Sequence, residues 1–206
     1  MKRLLLATLL LSVSFAAAQV SPAERKEGFR ALFNGKNLDG WDGDPRLWRV
    51  ENGEIVGSTE GVTLEANSFL VSKQSFKDFV LRAQMKLRNH NSGIQFRSEA
   101  LPNWVVRGYQ ADAAENNWWG SIYDERGKRG VLVNGWKGKG EKLVRAGDWN
   151  DYEITCKGEQ IQVRLNGEVT AELQDSARLE GIIALQLHRG PAMEARFRNI
   201  RIKPLK

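Results

Sequence analysis

The decapeptide GIIALQLHRG, close to the carboxyl end of the chain, carries residue types that can bind or transform a polar ligand. Ile183, Leu185 and Leu187 alternate with a second series that contains Gln186 and His188. Successive side chains of a β-strand point to opposite faces, so the pattern predicts an apolar core face and a face that carries an amide and an imidazole. Since imidazole titrates near neutral pH, His188 is a candidate general acid or base.

Two further segments repeat this combination of amide and ionisable side chain. SGIQFRSE puts Gln95 and Arg97 on one face of its predicted strand, and VRGYQADAAE does the same for Gln110 and Asp112. Neutral amides both donate and accept hydrogen bonds, as sugar hydroxyls do, so a groove lined by these residues suits a carbohydrate. The alternative is three unrelated solvated strand faces, because strand order is not readable from one sequence.

The segment AENNWWGSIYDERG adds aromatic and acidic residues in a predicted loop. An indole such as that of Trp119 can pack on the apolar face of a sugar, while Tyr123 and Glu125 bind its hydroxyl groups. Asp112 with Glu125, or with Glu99, is also a candidate carboxylate pair of the kind that glycosidases use. The alternative for either Trp118 or Trp119 is that its side chain closes one end of the fold.

The remaining chemically active residue types indicate fewer roles. His90 is predicted to lie in a solvated loop, and Cys156 alternates with core residues, which favours a buried thiol over a nucleophile. No serine-nucleophile elbow, zinc signature or phosphate-binding loop occurs in the sequence. Loops rich in Asp and Asn could hold calcium, which takes oxygen ligands, although none matches an EF-hand. Calcium is therefore the candidate divalent metal.

Alternation with a period of two dominates the chain and predicts the elements that position these residues. DFVLRAQMKL alternates apolar and polar residues throughout, and Asn-Gly pairs at 52–53 and 166–167 indicate tight hairpins. A shift from odd to even apolar positions near Asn199 indicates a β-bulge. The best helix candidate, residues 21–33, is expected to form one or two turns. These features predict an all-β fold, a two-sheet antiparallel β-sandwich with little helix.

The amino-terminal segment is predicted to be a secretory signal peptide that covers residues 1–18. Lys2 and Arg3 precede an apolar run that ends near Phe15, and three alanines then offer a cleavage site. A membrane anchor is the alternative, but the apolar run is too short to span a bilayer comfortably. Residues 19–206 then form a single domain, secreted or periplasmic, with no membrane anchor in the mature chain.

Composition narrows the range of partners. The 206-residue chain carries a formal net charge of +6, which becomes +4 when the two positive charges of Lys2 and Arg3 are removed with the signal peptide. The basic residues are scattered rather than clustered, so they favour a solvated surface over nucleic-acid binding. The single cysteine cannot form an internal disulfide, so an exported domain of this sequence must be stabilised by its core.

Six segments occur in a fixed order between about residue 28 and residue 205. They are FRALFNGKNLDGW, NSGIQFRSE, RGYQADA, GSIYDERG, DWNDYEITCKGEQIQVRLNGEVT, and GIIALQLHRG with the later ARFRNIRIKPL. Together they resemble the DUF1080 family, also called the 3-keto-disaccharide or 3-keto-glycoside hydrolase domain. The resemblance implies a jelly-roll sandwich of the concanavalin A type. It also implies a secreted hydrolase or lyase whose carbohydrate substrate is a glycoside already oxidised at C3.

The chemistry of such a substrate defines what its site must contain. A ketone at C3 acidifies the C2 hydrogen, so a base can remove it, the C1 substituent can leave by elimination, and water can then add. The resemblance therefore implies a base, a group that stabilises the enolate oxygen and an acid for the leaving oxygen. The alternatives are a non-catalytic, lectin-like carbohydrate-binding module and a structural domain of an envelope complex, which need none of these groups.

The roles implied by the resemblance fall on residues of the segments above. His188 or Asp112 is the candidate base, and Arg97 is the candidate that stabilises the enolate. The residues expected to hold the sugar are Gln95, Gln110, Gln186, Tyr123, Trp119 and Glu125. The chain departs from the family at Gln110, where members often carry glutamate after Gly-Tyr, so it lacks a carboxylate at this position.

Overall fold

The computed structural model describes residues 20–206, and within them the chain forms fifteen β-strands, numbered in chain order. Sheet A consists of β1 (Arg30–Ala31), β3 (Trp48–Glu51), β4 (Glu54–Ser58), β6 (Phe79–Leu87), β11 (Asn150–Lys157), β12 (Gln160–Leu165), β13 (Glu168–Gln174) and β15 (Glu194–Pro204). Sheet B consists of β2 (Trp41–Asp42), β5 (Ser68–Phe76), β7 (Asn91–Leu101), β8 (Val105–Ala114), β9 (Ile122–Glu125), β10 (Gly130–Val133) and β14 (Gly181–Leu187).

The order of the strands brings the chemically interesting segments together. Sheet A runs β13-β12-β11-β6-β15-β4-β3, with β1 also paired to β15, and sheet B runs β10-β9-β8-β7-β14-β5-β2. Neighbouring strands in both sheets are antiparallel. The strands β9, β8, β7 and β14 are therefore consecutive neighbours, although β14 follows β9 by more than fifty residues in the chain.

The hydrophobic core lies between the two sheets, and alternation builds it. Strand β6 alternates buried and half-buried residues along its whole length. Its apolar residues face apolar residues of sheet B that include Ile183, Leu185 and Leu187, all fully buried. Full burial of a Leu or Ile side chain contributes roughly 1.5–3 kcal/mol, so these rows hold the sheets together. Cys156 lies in the same core, where burial raises the pKa of its thiol to about 12.

The two Asn-Gly hairpins and the β-bulge occur at the positions that the sequence predicts. The pairs Asn52–Gly53 and Asn166–Gly167 have positive φ at both residues and connect β3 to β4 and β12 to β13. Asn199 also has a positive φ of 52°, and the pairing of β15 with β6 shifts register between Arg198 and Arg201. The predicted hairpins and the predicted bulge are thus confirmed.

Helical structure is sparse. The helices are α1 (Pro22–Lys26), which Ser21 caps, and α2 (Glu141–Leu143), together with irregular helical turns at Pro102–Trp104 and Trp136–Gly140. The prediction of a two-sheet antiparallel β-sandwich with little helix is therefore confirmed.

The sequence also predicts a signal peptide and a single domain without a membrane anchor. The predicted signal peptide, residues 1–18, lies outside the described residues and stays a prediction. From residue 20 to residue 206, no helix is long and apolar enough to cross a membrane. Both sheets contribute to the same large hydrophobic cluster over this range.

Candidate functional site

A cavity of about 620 Å³ opens on the face of sheet B that is turned away from the core. Strands β8, β9 and β14 form its floor, and the segments before β5 and after β14 form its rim. Its lining is polar or charged at most positions: Glu65, Ala66, Asn67, Asn91, Gln110, Asp112, Trp118, Tyr123, Glu125, Arg126, Val131, Gln186, His188 and Arg189. The size and the lining suit a ligand of one or two sugar rings.

Strand alternation places the floor residues as the sequence predicts. In β14, Leu185 and Leu187 enter the core, and Gln186 reaches the cavity between them. In β8, Tyr109 is buried in the core, while Gln110 and Asp112 line the cavity. The structure therefore brings together side chains from strands that are far apart in sequence.

A chain of amide side chains crosses the floor. Gln95 Nε2 donates to Gln110 Oε1 at 2.7 Å, so the Nε2 of Gln110 is left to donate. That Nε2 contacts both Asp112 Oδ1 at 3.1 Å and Gln186 Oε1 at 3.3 Å. Gln186 Nε2 in turn donates to Glu125 Oε2 at 3.3 Å. Both carboxylates are thus oriented by donors from the same amide chain.

Asp112 is a buried carboxyl group that accepts three hydrogen bonds, all at Oδ1. Its Oδ1 accepts the backbone N–H of Ala113 at 3.0 Å and side-chain N–H groups of Gln110 and Asn91 at 3.1 and 3.4 Å. Burial raises the pKa of Asp112 to about 6, with a smaller upward contribution from Glu125, although the three hydrogen bonds act in the opposite direction. Asp112 is therefore ionised at neutral pH but more basic than an ordinary aspartate.

Glu125 is the second carboxylate of the cavity. Asn67 Nδ2 donates to its Oε1 at 3.1 Å, while Gln186 holds its other oxygen. Burial raises the pKa of Glu125, against the lowering effects of Asn67, of the Arg126 charge and of Gln186. Two buried carboxyl groups with raised pKa values in one cavity are candidates for acid–base chemistry.

The two histidines of the chain meet at the cavity rim. Their rings are perpendicular, with centroids 4.9 Å apart, and His90 Nε2 lies 3.2 Å from His188 Nδ1. Both nitrogens also approach the backbone carbonyl oxygen of Arg189, at 3.0 and 2.6 Å. Burial lowers the pKa of His188, which keeps its imidazole neutral at physiological pH.

Aromatic groups complete the walls. The Tyr123 phenol lines the cavity, and burial, followed by the negative charges of Glu125 and Asp112, raises its pKa. Tyr123 is therefore a neutral hydroxyl that can donate a hydrogen bond. Trp118, which has a left-handed backbone φ of 63°, presents its half-buried side chain to the same space.

The structure corrects the predicted position of Arg97. Arg97 has a left-handed φ of 45°, and the pairing of β7 with β8 shifts register between Phe96 and Glu99. This bulge reverses the alternation, so Ser98 takes the face of Gln95 and donates to Gln95 Oε1 at 2.8 Å. Arg97 consequently lies away from the cavity and cannot stabilise an enolate there.

Arg97 serves instead to tie loops together. The side chain is fully buried, and its guanidinium donates to Lys77 O at 2.8 Å, Gly158 O at 2.7 Å and Asp78 Oδ1 at 2.8 Å. These partners belong to the β5–β6 connection and the β11–β12 hairpin. Arg97 therefore fixes one end of the sandwich.

Two predicted sugar-binding residues also take other positions. Trp119 is buried in the core and stacks on Tyr152 at a centroid distance of 6.1 Å, so the neighbouring Trp118 is the tryptophan of the cavity. Gln95 is fully buried beside Gln110 on the neighbouring strand and does not line the cavity. The other predicted site residues do line it: His188, Asp112, Gln110, Gln186, Tyr123 and Glu125.

Several site residues were not predicted. Asn67 links Glu125 to the rim, because its Oδ1 accepts the backbone N–H of Arg189 at 3.0 Å. His90, expected in a solvated loop, is half-buried against His188. The sequence carries one usable signal, since His90 immediately precedes β7 and Asn91 is its first residue, but the contact with a residue 98 positions later is not readable locally.

The sequence analysis also predicts that loops rich in Asp and Asn can bind calcium. Within the part of the chain from residue 20 to residue 206, no three side chains of the His, Cys, Asp and Glu types converge as a metal site. The calcium prediction therefore stays a prediction.

Two packed antiparallel sheets, with an amide- and carboxylate-lined cavity on one of them, define a β-sandwich of the concanavalin A-like fold class. The particular family follows from the sequence. The chain belongs to the 3-keto-alpha-glucoside-1,2-lyase-like domain family, whose model matches residues 28–203. The predicted family membership is thus confirmed. A search of curated proteins gave no significant match.

Solved structures share the fold at low sequence identity. A proposed glycosyl hydrolase from Parabacteroides distasonis is 21% identical, with 92% of this chain and 99% of that chain covered and a TM-score of 0.68. The carbohydrate-binding module CBM66 from Bacillus subtilis is 16% identical, with 80% and 95% covered and a TM-score of 0.62. The β-glucanase of Bacillus licheniformis is 11% identical, with 86% and 97% covered and a TM-score of 0.57. The jelly-roll sandwich is therefore shared with a β-glucanase and with a carbohydrate-binding module.

Proposed function

We propose that this protein cleaves the glycosidic bond of 3-keto-glycosides by elimination, with later addition of water. The observation that carries the proposal is the pair of buried carboxyl groups, Asp112 and Glu125, in one amide-lined cavity. Family membership supports the same reaction, because the family is described as 3-keto-alpha-glucoside-1,2-lyase-like. The cavity contains two carboxyl groups and several hydrogen-bond donors, which are the kinds of group that this reaction needs.

Asp112 is proposed as the base. Three N–H groups hold its Oδ1, so Oδ2 is the oxygen left to accept the proton from C2. The C2–H bonding pair then forms the C2=C3 bond, and the negative charge moves to the C3 oxygen. A carboxylate with a pKa near 6 is ionised at neutral pH and still basic enough to take part in proton transfer.

Glu125 is proposed as the acid of the second step. The enolate reforms the C3 carbonyl, a C1=C2 bond forms, and the C1–O bond breaks, while Glu125 protonates the departing oxygen. Its raised pKa favours the protonated form that this role requires. Addition of water, with OH at C1 and H at C2, then gives a 3-keto sugar and completes a net hydrolysis.

The remaining cavity residues are proposed to hold the sugar. Tyr123 donates from its neutral hydroxyl, and Asn91 and Gln186 offer amide groups to ring hydroxyls. Trp118 supplies an indole surface for the apolar face of a sugar ring.

The test is incubation with p-nitrophenyl 3-keto-glucoside and with 3-keto-trehalose, followed by chromatography of the products. The expected result is release of the C1 substituent from the oxidised substrates and none from unoxidised p-nitrophenyl glucoside. In heavy water, deuterium is expected to enter C2. Absence of both release and exchange, with or without added divalent metal, would overturn the proposal.

A carbohydrate-binding module is the second candidate. It is favoured by the neutral amides and indole of the cavity, and by the structural likeness to CBM66, described as a carbohydrate-binding module. Calorimetry separates the two functions. Tight binding of unoxidised oligosaccharides that Asp112→Asn leaves unchanged, without turnover of 3-keto-glycosides, would favour the binding module.

A further inference from the structure

We propose that one side of the cavity binds the substituent at C1 of the glycoside, and that this substituent is an aromatic group rather than a second sugar. The inference rests on the proposed function, because it concerns the group that the proposed elimination releases. The side in question is the apolar wall, which we define as Trp118, Tyr123 and Val131. All three residues line the cavity.

Val131 is an apolar side chain that the core does not use. Among residues 20–206, the large apolar side chains left exposed are Val131 and Leu179, at 40% and 37%. The next two residues of β10, Leu132 and Val133, pack against the core, whereas Val131 lines the cavity. Strand β10 is the edge of sheet B, where solvated positions usually carry charged side chains. An apolar residue at this position therefore fits contact with a ligand.

Strand pairing places Val131 beside Tyr123. The two residues are directly opposite each other in the antiparallel pairing of β10 with β9. Their side chains therefore leave the same face of the sheet and are close enough to contact. Trp118 reaches the cavity from the turn before β9, which the Ser121 N–H closes by donating to Trp118 O at 2.9 Å. The apolar wall thus belongs to β9, β10 and the turn that precedes them.

The floor of the cavity is polar, so the apolar wall is a distinct region. Gln110, Asp112 and Gln186 are linked by hydrogen bonds on the floor, and Asn67 and Asn91 also line the cavity. Such groups bind the ring hydroxyls of a sugar. The volume of about 620 Å³ leaves room for a second ring. The apolar wall is therefore available to the C1 substituent, the one part of a glycoside that need not carry hydroxyl groups.

Val131 is the residue of the apolar wall that separates an aryl group from a sugar. The rings of Trp118 and Tyr123 can pack on the C–H face of a sugar as well as on an aryl ring, so they do not discriminate. An aliphatic side chain offers no hydrogen bond, and a hydroxyl group that loses water against it without gaining a partner is costly. Val131 is therefore the specificity-determining residue for the C1 substituent.

Arg126 favours an aromatic substituent over an aliphatic one. It is exposed in the hairpin between β9 and β10 and lines the cavity. Guanidinium groups stack on the faces of aromatic rings. The same contact occurs elsewhere in this protein, where Arg198 Cζ lies 4.0 Å from the centroid of the Trp149 ring. An aryl ring at the apolar wall can gain this contact, whereas an alkyl chain cannot.

The kinetic test compares benzyl and 2-methoxyethyl 3-keto-glucosides, prepared as both anomers, because their leaving alcohols have similar acidity. We expect kcat/KM to be at least about tenfold higher for the benzyl substrate, since its ring can fill the apolar wall. Val131→Thr, which keeps the shape of the side chain but adds a hydroxyl, should reduce that ratio about three- to tenfold. A ratio of two rates on one sample does not depend on how much of the variant is folded.

The matched control is Leu179→Thr, which changes the other exposed apolar residue, outside the cavity. It should keep the wild-type ratio. Equal kcat/KM values for the two substrates in the wild type, or a ratio that Val131→Thr leaves unchanged, would overturn the proposal.

Calorimetry with unoxidised glucosides separates this inference from the proposed function, since binding needs neither the ketone nor catalysis. Benzyl glucoside is expected to bind more tightly than cyclohexylmethyl glucoside and at least about tenfold more tightly than 2-methoxyethyl glucoside. This preference without cleavage of any 3-keto-glycoside would refute only the proposed function. Cleavage in which 3-keto-trehalose is preferred to the benzyl substrate would refute only the role of the apolar wall.

Discussion

Asp112 acquires its chemical character from its position rather than from its residue type. It is 6% exposed, and burial outweighs three hydrogen bonds to give a pKa of about 6. If Asp112 is the base, activity toward a 3-keto-glycoside should rise with pH through about 6, as the carboxylate ionises. Asp112→Asn should lower kcat by about 10²–10⁴-fold, measured by release of the C1 substituent. A variant that keeps the wild-type rate would exclude Asp112 as the base.

The raised pKa of Asp112 also predicts how Asp112→Asn changes the free energy of unfolding at different pH values. The folded-state pKa of Asp112 lies above its ordinary value of 3.8, so its contribution to stability is favourable below that value and is lost as the pH rises through about 6. Asp112→Asn should therefore stabilise the fold at pH 7.5 by up to about 3 kcal/mol, and hardly at all near pH 4. Urea unfolding at both pH values measures this, with the exposed Asp39→Asn as the control.

How far a site residue is predictable from sequence depends on what positions it. Gln186 and Asp112 were predictable because regular alternation alone decides which face of a strand they occupy. His90 was not, because its partner His188 is brought to it only by the pairing of β7 with β14. Trp118 and Trp119 differ by one position, and a left-handed backbone at Trp118 decides which indole reaches the cavity.

At the scale of the strand, one residue with an irregular backbone conformation in β7 changes which face of the sheet the neighbouring side chains occupy. The bulge at Arg97 turns that side chain out of the polar face and lets Ser98 support Gln95. A sequence pattern with a period of two cannot reveal such a reversal, since the bulge depends on the register between β7 and β8. The predicted strand was therefore right, while the predicted orientation of Arg97 was wrong.

The structural role of Arg97 is testable. Arg97→Met removes the guanidinium donor from two backbone carbonyls and from Asp78, whose carboxylate keeps only the Gly158 N–H, so stability should fall by about 3 kcal/mol. The matched control is Arg107→Met in β8, whose pairing with Glu99 is exposed and should contribute less than about 1 kcal/mol. Urea unfolding measures both, and a catalytic defect of folded Arg97→Met without loss of stability would contradict the assignment.

A single tyrosine connects the two sheets through the core beneath the cavity. Tyr152 of sheet A donates its hydroxyl to the backbone carbonyl of Asp112 at 2.7 Å and accepts the N–H of Gly120 at 3.0 Å. Tyr152→Phe keeps the ring but leaves both backbone groups buried and unpaired, so stability should fall by about 1–3 kcal/mol. Thermal unfolding measures the effect, and a neutral result would show that these two bonds contribute little.

At the scale of the molecule, the two sheets carry different kinds of polar surface. The outer face of sheet A is covered by ion pairs such as Arg196 with Glu54 and Arg82 with Glu153. The outer face of sheet B holds neutral amides around two carboxylates. Charged residues occur on both faces, and several of them line the cavity itself, so composition alone does not locate the site.

The first described residues, which follow the predicted signal peptide, pack against the rest of the fold. Val20 is 5% exposed, Ser21 caps α1, and Glu24 forms ion pairs with Arg82 and Arg201. Cleavage after residue 18 would keep all of these contacts. Expression in a host with a secretory pathway should therefore yield a mature chain that starts at Gln19, identified by mass spectrometry of the intact protein. An intact amino terminus on exported protein would contradict this.

Removal of residues 19–27 tests whether that segment belongs to the fold, although the family model begins only at residue 28. The loss of Val20 burial and of the Glu24 ion pairs should lower stability by about 2 kcal/mol. Burial would raise the pKa of Glu24, but hydrogen bonds from Arg201 and Ser21 lower it to about 2, so its contribution is present above the ordinary value of 4.5 and lost toward pH 2. Glu24→Gln should therefore reproduce part of the deletion effect at pH 7, and urea unfolding that shows no loss in either variant would place the segment outside the cooperative fold.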